Sequence, residues 1–334
     1  FWPNFNDLNN FMLSDSLSIV RGSHTIKFGG EVRRTEIFRE AQRHRRGRFD
    51  FSSTYTAEFP NNAASRANTG NGLADMLLGW ASGGNTGSPQ GETTVVPYYG
   101  FFIQDDWKIT SRLTMNIGLR YELMLTPRFP DPENQTVARY MIPWLNGGQE
   151  GFVFPTSGSD CGCKEDLNNF APRLGLAYRV NDKTVIRTGA GIYYGEPDNP
   201  QSESARFSTG PPKAGEISLG NFTSFETTPI RVQTGLPPFQ TGTVLPGVGV
   251  SAALDRQPTR HVVQWFFDIQ RELPADTMFT LAYIGTKSTH LWTGRNLNVP
   301  FTPHPTINVN QRRLFPQFGG VSLQEAMLNA NYNS

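Results

Sequence analysis

Tyr98-Tyr-Gly-Phe-Phe-Ile-Gln-Asp-Asp-Trp-Lys-Ile-Thr-Ser-Arg-Leu-Thr-Met-Asn-Ile-Gly-Leu-Arg-Tyr-Glu-Leu123 is the stretch that decides the fold. From Leu113 onward, Leu113, Met115, Ile117, Leu119, Tyr121 and Leu123 alternate with Thr114, Asn116, Gly118, Arg120 and Glu122. Successive strand side chains point to opposite faces, so one face is apolar and the other polar. Before the turn, Tyr99, Phe101, Ile103, Trp107 and Ile109 share one face, and Gly100, Gln104, Asp106 and Lys108 the other. Thr110-Ser111-Arg112 between the halves is long enough only for a tight turn. Each strand runs for about 11 residues, against about 5–6 in soluble sheets and about 9–11 in tilted strands that cross a bilayer. The pattern points to a membrane barrel. Asp105 falls on the apolar parity, which places it near the periplasmic headgroups or at a bulge.

Bulk composition agrees. The 334 residues suffice for one large domain or two ordinary ones. With 18% charged residues and a net charge of +1, charge alone implies no polyanionic partner, so no nucleic acid is expected. Mean hydropathy is -0.42, and no run of 18 apolar residues occurs, so a transmembrane helix is excluded. A barrel is not, because polar lumen residues dilute the hydropathy of every strand. The 24 Phe, 10 Tyr and 6 Trp suit strands and membrane interfaces. The chain starts at Phe1-Trp2-Pro3 without a signal segment and stops at Ser334 without a cap, which reads as a fragment of a longer protein.

The hairpin pattern recurs. Leu174, Leu176, Tyr178 and Val180 precede a turn at Asn181-Asp182-Lys183, and Ile186, Ala190, Ile192 and Tyr194 follow it, with Arg173 and Arg187 on the opposite parity. Val263, Trp265, Phe267 and Ile269 lead to a turn at Pro274-Ala275-Asp276, and Phe279, Leu281 and Tyr283 return, with Gln264 and Asp268 opposite. Ser16 to Val20 and Thr25 to Arg33 flank another turn, and Gly47 to Tyr55 reads as a further strand. The expectation is an all-β fold: an antiparallel transmembrane β-barrel, here a partial wall of about nine strands, all of 1–334 belonging to one barrel domain. Short turns alternate with long segments at 124–171 and 196–260, the asymmetry of tight periplasmic turns and long extracellular loops. Gly72 to Trp80 breaks the alternation and reads as a short helix or amphipathic turn ended by Gly79.

Several segments together resemble a known family. Phe102 to Glu122, His24-Thr-Ile-Lys-Phe-Gly-Gly-Glu31, Leu73-Ala-Asp-Met-Leu-Leu-Gly79, Phe170-Ala-Pro-Arg-Leu-Gly-Leu-Ala-Tyr178 and the Phe-Pro-Gln-Phe-Gly within Arg312 to Gly320 resemble TonB-dependent outer-membrane receptors, in their Oar-like branch. The resemblance implies the outer membrane of a Gram-negative-type bacterium, a 22-stranded barrel, a lumenal plug and energy from the TonB complex. The plug and the remaining strands are missing from this chain. These motifs are barrel signatures and carry no ligand identity.

Catalytic chemistry has little support. There is no Gly-x-Ser-x-Gly elbow, His-Glu-x-x-His or Walker loop, so no enzyme is expected. His24, His44, His261, His290 and His304 are scattered, and Cys161-Gly-Cys163 lacks the further ligands zinc needs, so neither metal nor cofactor is expected. The thiols read as a loop-local pair or small disulfide. Gly189-Ala-Gly191 lies within a strand and is no nucleotide loop. The basic cluster Arg43, Arg45, Arg46 and Arg48 is a candidate rim for an anionic ligand, although such runs are commonly solvated faces.

The alternation assigns facing. Phe101, Ile103, Met115, Ile117, Leu119, Leu174, Leu176, Ile192 and Leu281 are expected to meet outer-membrane lipid. Asn116, Arg120, Glu122, Arg173 and Gln264 are expected to face the lumen. Trp107 belongs to the periplasmic aromatic girdle, and Tyr121 and Tyr194 to the opposite one. The functional expectation is a receptor and transporter barrel that binds a scarce ligand at its loops and passes it to the periplasm. The alternatives are an adhesin or export-linked barrel, a passive pore, and a soluble β-rich glycan-binding domain.

Overall fold

The computed structural model describes residues 4–41, 44, 46–87, 90–130, 139–145, 147–148, 150–153, 164–195, 216–219, 230–236, 249–254, 256, 258–300, 303 and 306–334. β1 (Asn4–Arg21) and β2 (His24–Ala41) form the first hairpin. The chain then leaves the wall through β3 (Arg48–Asp50), α1 (Ala63–Thr69), α2 (Gly72–Leu77), β4 (Trp80–Ala81) and β5 (Gly83–Gly87). It returns as β6 (Gln90–Lys108) and β7 (Leu113–Met124), followed by short β8 (Arg139–Met141) and β9 (Gly151–Val153). β10 (Phe170–Asn181) and β11 (Thr184–Tyr194) make the third hairpin. Short β12 (Glu216–Leu219), β13 (Ile230–Arg231) and β14 (Val250–Ala253) precede the fourth, β15 (His261–Leu273) and β16 (Thr277–Asn296). β17 (Val321–Asn333) closes the sequence of elements.

One sheet carries twelve of these strands in the order β1-β2-β6-β7-β10-β11-β15-β16-β17-β14-β8-β9. Its first nine members are long and antiparallel, and the sequence order is interrupted only by excursions. The four tight turns lie side by side at one end. Lys108 N–H donates to Ser23 O, Arg179 N–H to Arg112 O, and Glu272 N–H to Lys183 O, each at 2.8 Å. The long excursions therefore share the other end, and the described parts of 124–171 and 196–260 carry short strands of their own.

Three features differ from the sequence reading. Gly47 to Tyr55 is not a wall strand: only β3 is extended there, and it pairs with β5 in a separate sheet. The ninth wall strand is β17, whose Ala326-Met327-Leu328-Asn329-Ala330 lacks clean alternation. β1, β2, β6 and β16 have 18, 18, 19 and 20 residues, well beyond their alternating cores. Their extra length projects toward the long-loop end, where Phe5, Leu8 and Phe11 of β1 recur at every third position and leave no period-two stripe to read. Asp105, the parity exception, occupies no bulge: register runs unbroken from His24↔Trp107 to Ala41↔Gln90. It lies near the short-turn end and pairs with His24 Nδ1 at 2.6 Å.

α2 confirms the short helix before Gly79. Asn71 caps it by accepting from the backbone N–H groups of Leu73 and Ala74, and Gly79 ends it at φ +69°. The main buried apolar cluster lies in a cap at the long-loop end of β14 and β17. Tyr140, Ile142, Val250, Ala252, Phe315, Phe318, Val321 and Leu323 form it. Asn298, fully buried, clamps the loop before β17. Its side-chain amide donates to the carbonyls of Phe315, Phe318 and Gly319 at 2.9, 3.1 and 2.9 Å, and its oxygen accepts from Phe315 N–H at 2.8 Å.

Candidate functional site: the polar face of the wall

Directly opposed residues of neighbouring antiparallel strands share a face. One row on the polar face runs Lys27, Gln104, Gly118, Arg173, Gly191, Gln264, Thr286. The next runs Thr25, Asp106, Asn116, Gly175, Gly189, Phe266, Ile284. The glycines remove side chains from the centre of both rows and leave a trough of about 460 Å³. Gln104, Asp106, Asn116, Arg173 and Gln264 stand along it. Asn116 donates its amide to Asp106, and the Arg173 guanidinium lies over the Tyr193 ring at 4.4 Å.

Toward the long-loop end the face carries a compact ion network. Arg120 Nε donates to Glu122 Oε1 at 2.6 Å. Its Nη2 donates to Tyr98 Oη at 2.7 Å and to Glu31 Oε2 at 3.4 Å. The Tyr98 hydroxyl donates to Glu122 Oε1 at 3.1 Å, and Arg33 stacks over the Tyr98 ring at 4.7 Å. Gly100 makes this arrangement possible: a Cβ there would come within 2.8 Å of Tyr98 Oη and 2.9 Å of Arg120 Nη2. Glu122 is buried, and its Oε1 accepts from both Arg120 Nε and the Tyr98 hydroxyl in place of water.

The structure puts Asn116, Arg120, Glu122, Arg173 and Gln264 on this one face. It puts the nine apolar positions on the other, in pairs such as Ile103↔Leu119, Ile117↔Leu174, Met115↔Leu176, Ile192↔Val263 and Ile269↔Leu281. Phe101, opposite Tyr121, is 51% exposed, and Leu281 is 61% exposed. An apolar surface of this extent is rare on a soluble monomer. Trp107 stacks on His24 at the short-turn end, with centroids 5.1 Å apart. At the opposite end Tyr121 stacks on Phe170 at 4.6 Å, and Tyr194 lies 5.4 Å from the His261 ring.

Of the basic cluster, Arg43 and Arg45 lie outside the described residues, as do Cys161 and Cys163. Arg46 is exposed, while Arg48 pairs with Asp50 at 2.9 Å in β3, off the wall. Sequence reasoning missed Glu31 and Tyr98 as members of the polar face, and the His24–Asp105 pair. Aligning the first two hairpins on their turns would have found them, because that alignment sets His24 opposite Trp107.

A wall with one polar face, one exposed apolar face and all tight turns at one end is an outer-membrane β-barrel wall. The family model described as "Outer membrane beta barrel domain" matches residues 1–334, and the chain belongs to that family. The protein therefore resides in the outer membrane, and the soluble glycan-binding reading is set aside. Among solved structures, the chain is similar to the copper transporter OprC, with 12% identity and a TM-score of 0.46 over 99% of this chain and 35% of that one. It is similar to the outer membrane transporter YddB from Escherichia coli at 10% identity and TM-score 0.46, over 96% of this chain and 29% of that one. The siderophore receptor PirA from Acinetobacter baumannii gives 10% identity and TM-score 0.43, over 99% and 34%. The chain thus spans about a third of the length of these proteins. No curated protein sequence matches it significantly. None of these findings singles out the Oar-like branch.

Proposed function

We propose that this wall belongs to a TonB-dependent receptor that captures a scarce ligand at the long-loop end and passes it along the polar face to the periplasm. The observation that carries the proposal is the pairing of that face with the one-ended gathering of the long connections. In this reading Phe101, Ile103, Met115, Ile117, Leu119, Leu174, Leu176, Ile192 and Leu281 contact lipid. Asn116, Arg120, Glu122, Arg173 and Gln264 line the lumen. Trp107 sits at the periplasmic interface, and Tyr121 and Tyr194 at the outer one. The segments 124–171 and 196–260 are extracellular, and Arg46 and Arg48 lie near the rim.

The extra length of β1, β2, β6 and β16 supports this orientation. About 10 residues cross the hydrocarbon. The remaining eight or so, at about 3.3 Å each, raise a palisade of about 25 Å beyond it. A plug and further strands elsewhere in the protein complete the lumen, and TonB supplies energy. The test is growth and uptake in cells carrying the full coding sequence. Mass spectrometry of solutes retained by wild-type cells, with and without TonB, identifies the ligand. Uptake that needs both the barrel and TonB supports transport. Barrel-dependent surface attachment with no TonB-dependent solute would instead establish the adhesin or export-linked reading.

A further inference from the structure

Antiparallel pairing of β15 with β16 brings together two histidines that are far apart in sequence. His261 opens β15 and stands opposite Thr289, whose Oγ1 is 2.9 Å from His261 Nε2. The next residue, His290, sits in an irregularity of the β16–β17 ladder, where register shifts between Ser288↔Ala330 and Leu291↔Leu328. His290 has φ +59°, a left-handed conformation that a non-glycine residue adopts only against a steric penalty. Bulges re-aim side chains, and this one sets the His290 ring 5.3 Å from the His261 ring at an interplanar angle of 64°. His290 Nδ1 is buried without a hydrogen-bond partner. The Tyr194 ring lies 5.4 Å from His261 on the other side. The cluster lies at the long-loop end of the wall.

Strain, an orphaned ring nitrogen and a facing imidazole are three independent features at one place. Two imidazoles bound to one tetrahedral metal place each nitrogen at about 2.0–2.1 Å from it, which sets the ring centroids about 5 Å apart. The observed separation matches this. We propose that His261 and His290 form a binding site for a divalent first-row transition-metal ion, with Tyr194 flanking it. Imidazole ligands favour copper, nickel and zinc over calcium or magnesium, and copper binds most strongly in the series. Among the described residues no group of three or more His, Cys, Asp or Glu surrounds the pair, so coordination positions remain for water or for a ligand arriving with the metal. The site stands apart from the transport reading, because it requires only that these strands pair as observed.

The test is titration of the detergent-solubilised full chain with Cu²⁺, followed by electron paramagnetic resonance. One Cu²⁺ per chain with nitrogen couplings from two imidazoles is expected. His261→Ala and His290→Asn should each weaken binding at least tenfold. Asparagine tolerates the left-handed backbone at position 290, so the second variant removes the imidazole without disturbing the bulge. His24→Ala, at the opposite end of the wall, should bind like the parent. Zn²⁺ should compete with Cu²⁺ for the same site. Parent-like binding by both His261→Ala and His290→Asn, a sulfur-coordinated signal insensitive to them, or no stoichiometric binding would overturn the assignment.

Discussion

The wall and the cap use the same kinds of residue in opposite ways. In the wall, Leu13, Ile103 and Leu281 are 75%, 54% and 61% exposed, and what orders the strands is a continuous hydrogen-bonded ladder. In the cap, Tyr140, Ile142, Phe315, Phe318 and Leu323 are buried against one another. The Tyr140 ring meets Phe318 edge-on at 5.0 Å and Phe315 at 5.6 Å. In the proposed orientation, the difference reflects the surrounding medium. An apolar side chain in hydrocarbon needs no protein neighbour, whereas one in water must be packed away from it. One chain therefore carries two stability mechanisms, and mutations should separate them.

The largest effect should come from emptying the cap. Phe318→Ala should cost about 3–5 kcal/mol of cap stability, the usual cost of deleting a buried aromatic ring. Limited proteolysis of the folded protein in lipid should show faster cleavage between β16 and β17, with amide protection of β6, β7, β10 and β11 unchanged. Simultaneous loss of wall protection would mean that cap and wall form one cooperative unit.

The wall should respond to charge rather than to lost volume. Ile117→Arg, on the apolar face, should cost about 2–4 kcal/mol in reversible unfolding from vesicles, and Asn116→Arg, on the polar face, much less. Equal costs for these adjacent residues would remove the distinction between the faces. Ile117→Ala should be milder than a comparable truncation in the cap, because lipid refills the space.

The next effect concerns how the cap loop is held. Asn298→Ala removes the amide that ties Phe315, Phe318 and Gly319 together, leaving buried backbone groups unpaired at about 1–3 kcal/mol. The same proteolysis assay should place it below Phe318→Ala. A greater loss than Phe318→Ala would make the polar clamp, rather than the apolar cluster, the main support of the cap.

The same division explains what the sequence disclosed. The hairpins at Thr110 to Arg112, Asn181 to Lys183 and Pro274 to Asp276 were legible because each flanking strand has one wet and one apolar face. Where strands extend past their alternating cores, as in Leu8 to Phe11 or Thr93 to Val96, apolar and polar residues no longer alternate, and Thr94 and Val95 are buried among loop residues rather than divided between two faces. β17 begins among the cap residues, so Val321, Leu323 and Ala326 obey two packing environments and no single period. Phe49 and Phe51 misled for the converse reason: spaced aromatics suit a short loop sheet as well as a wall. The polar face was legible from parity at Arg120 and Glu122. The network around them was not, because Glu31 and Tyr98 reach it through pairing across two strand boundaries.

The smallest expected effect is a pH dependence confined to the cap. Burial, then the hydrogen bond to Glu150 and its charge, push the Tyr140 phenol up to about 12 from its ordinary 10. The hydroxyl donates to Glu150 Oε1 at 2.9 Å, an interaction available only to the neutral phenol. In the unfolded chain the phenol ionises near its ordinary value, while the folded cap still holds its proton. The neutral phenol's contribution is therefore fully present below pH 10 and is lost as pH rises from about 10 to about 12. Tyr140→Phe keeps the ring that packs on Phe315 and Phe318 but has no proton to lose. Thermal melting of the cap, followed by protease susceptibility between pH 9 and 12, should fall more steeply for the parent than for Tyr140→Phe. The melting of the wall should show no difference between them. Parallel pH profiles for the two proteins would show that Tyr140 serves the cap through its ring alone, and would reduce the contrast between the two regions to packing.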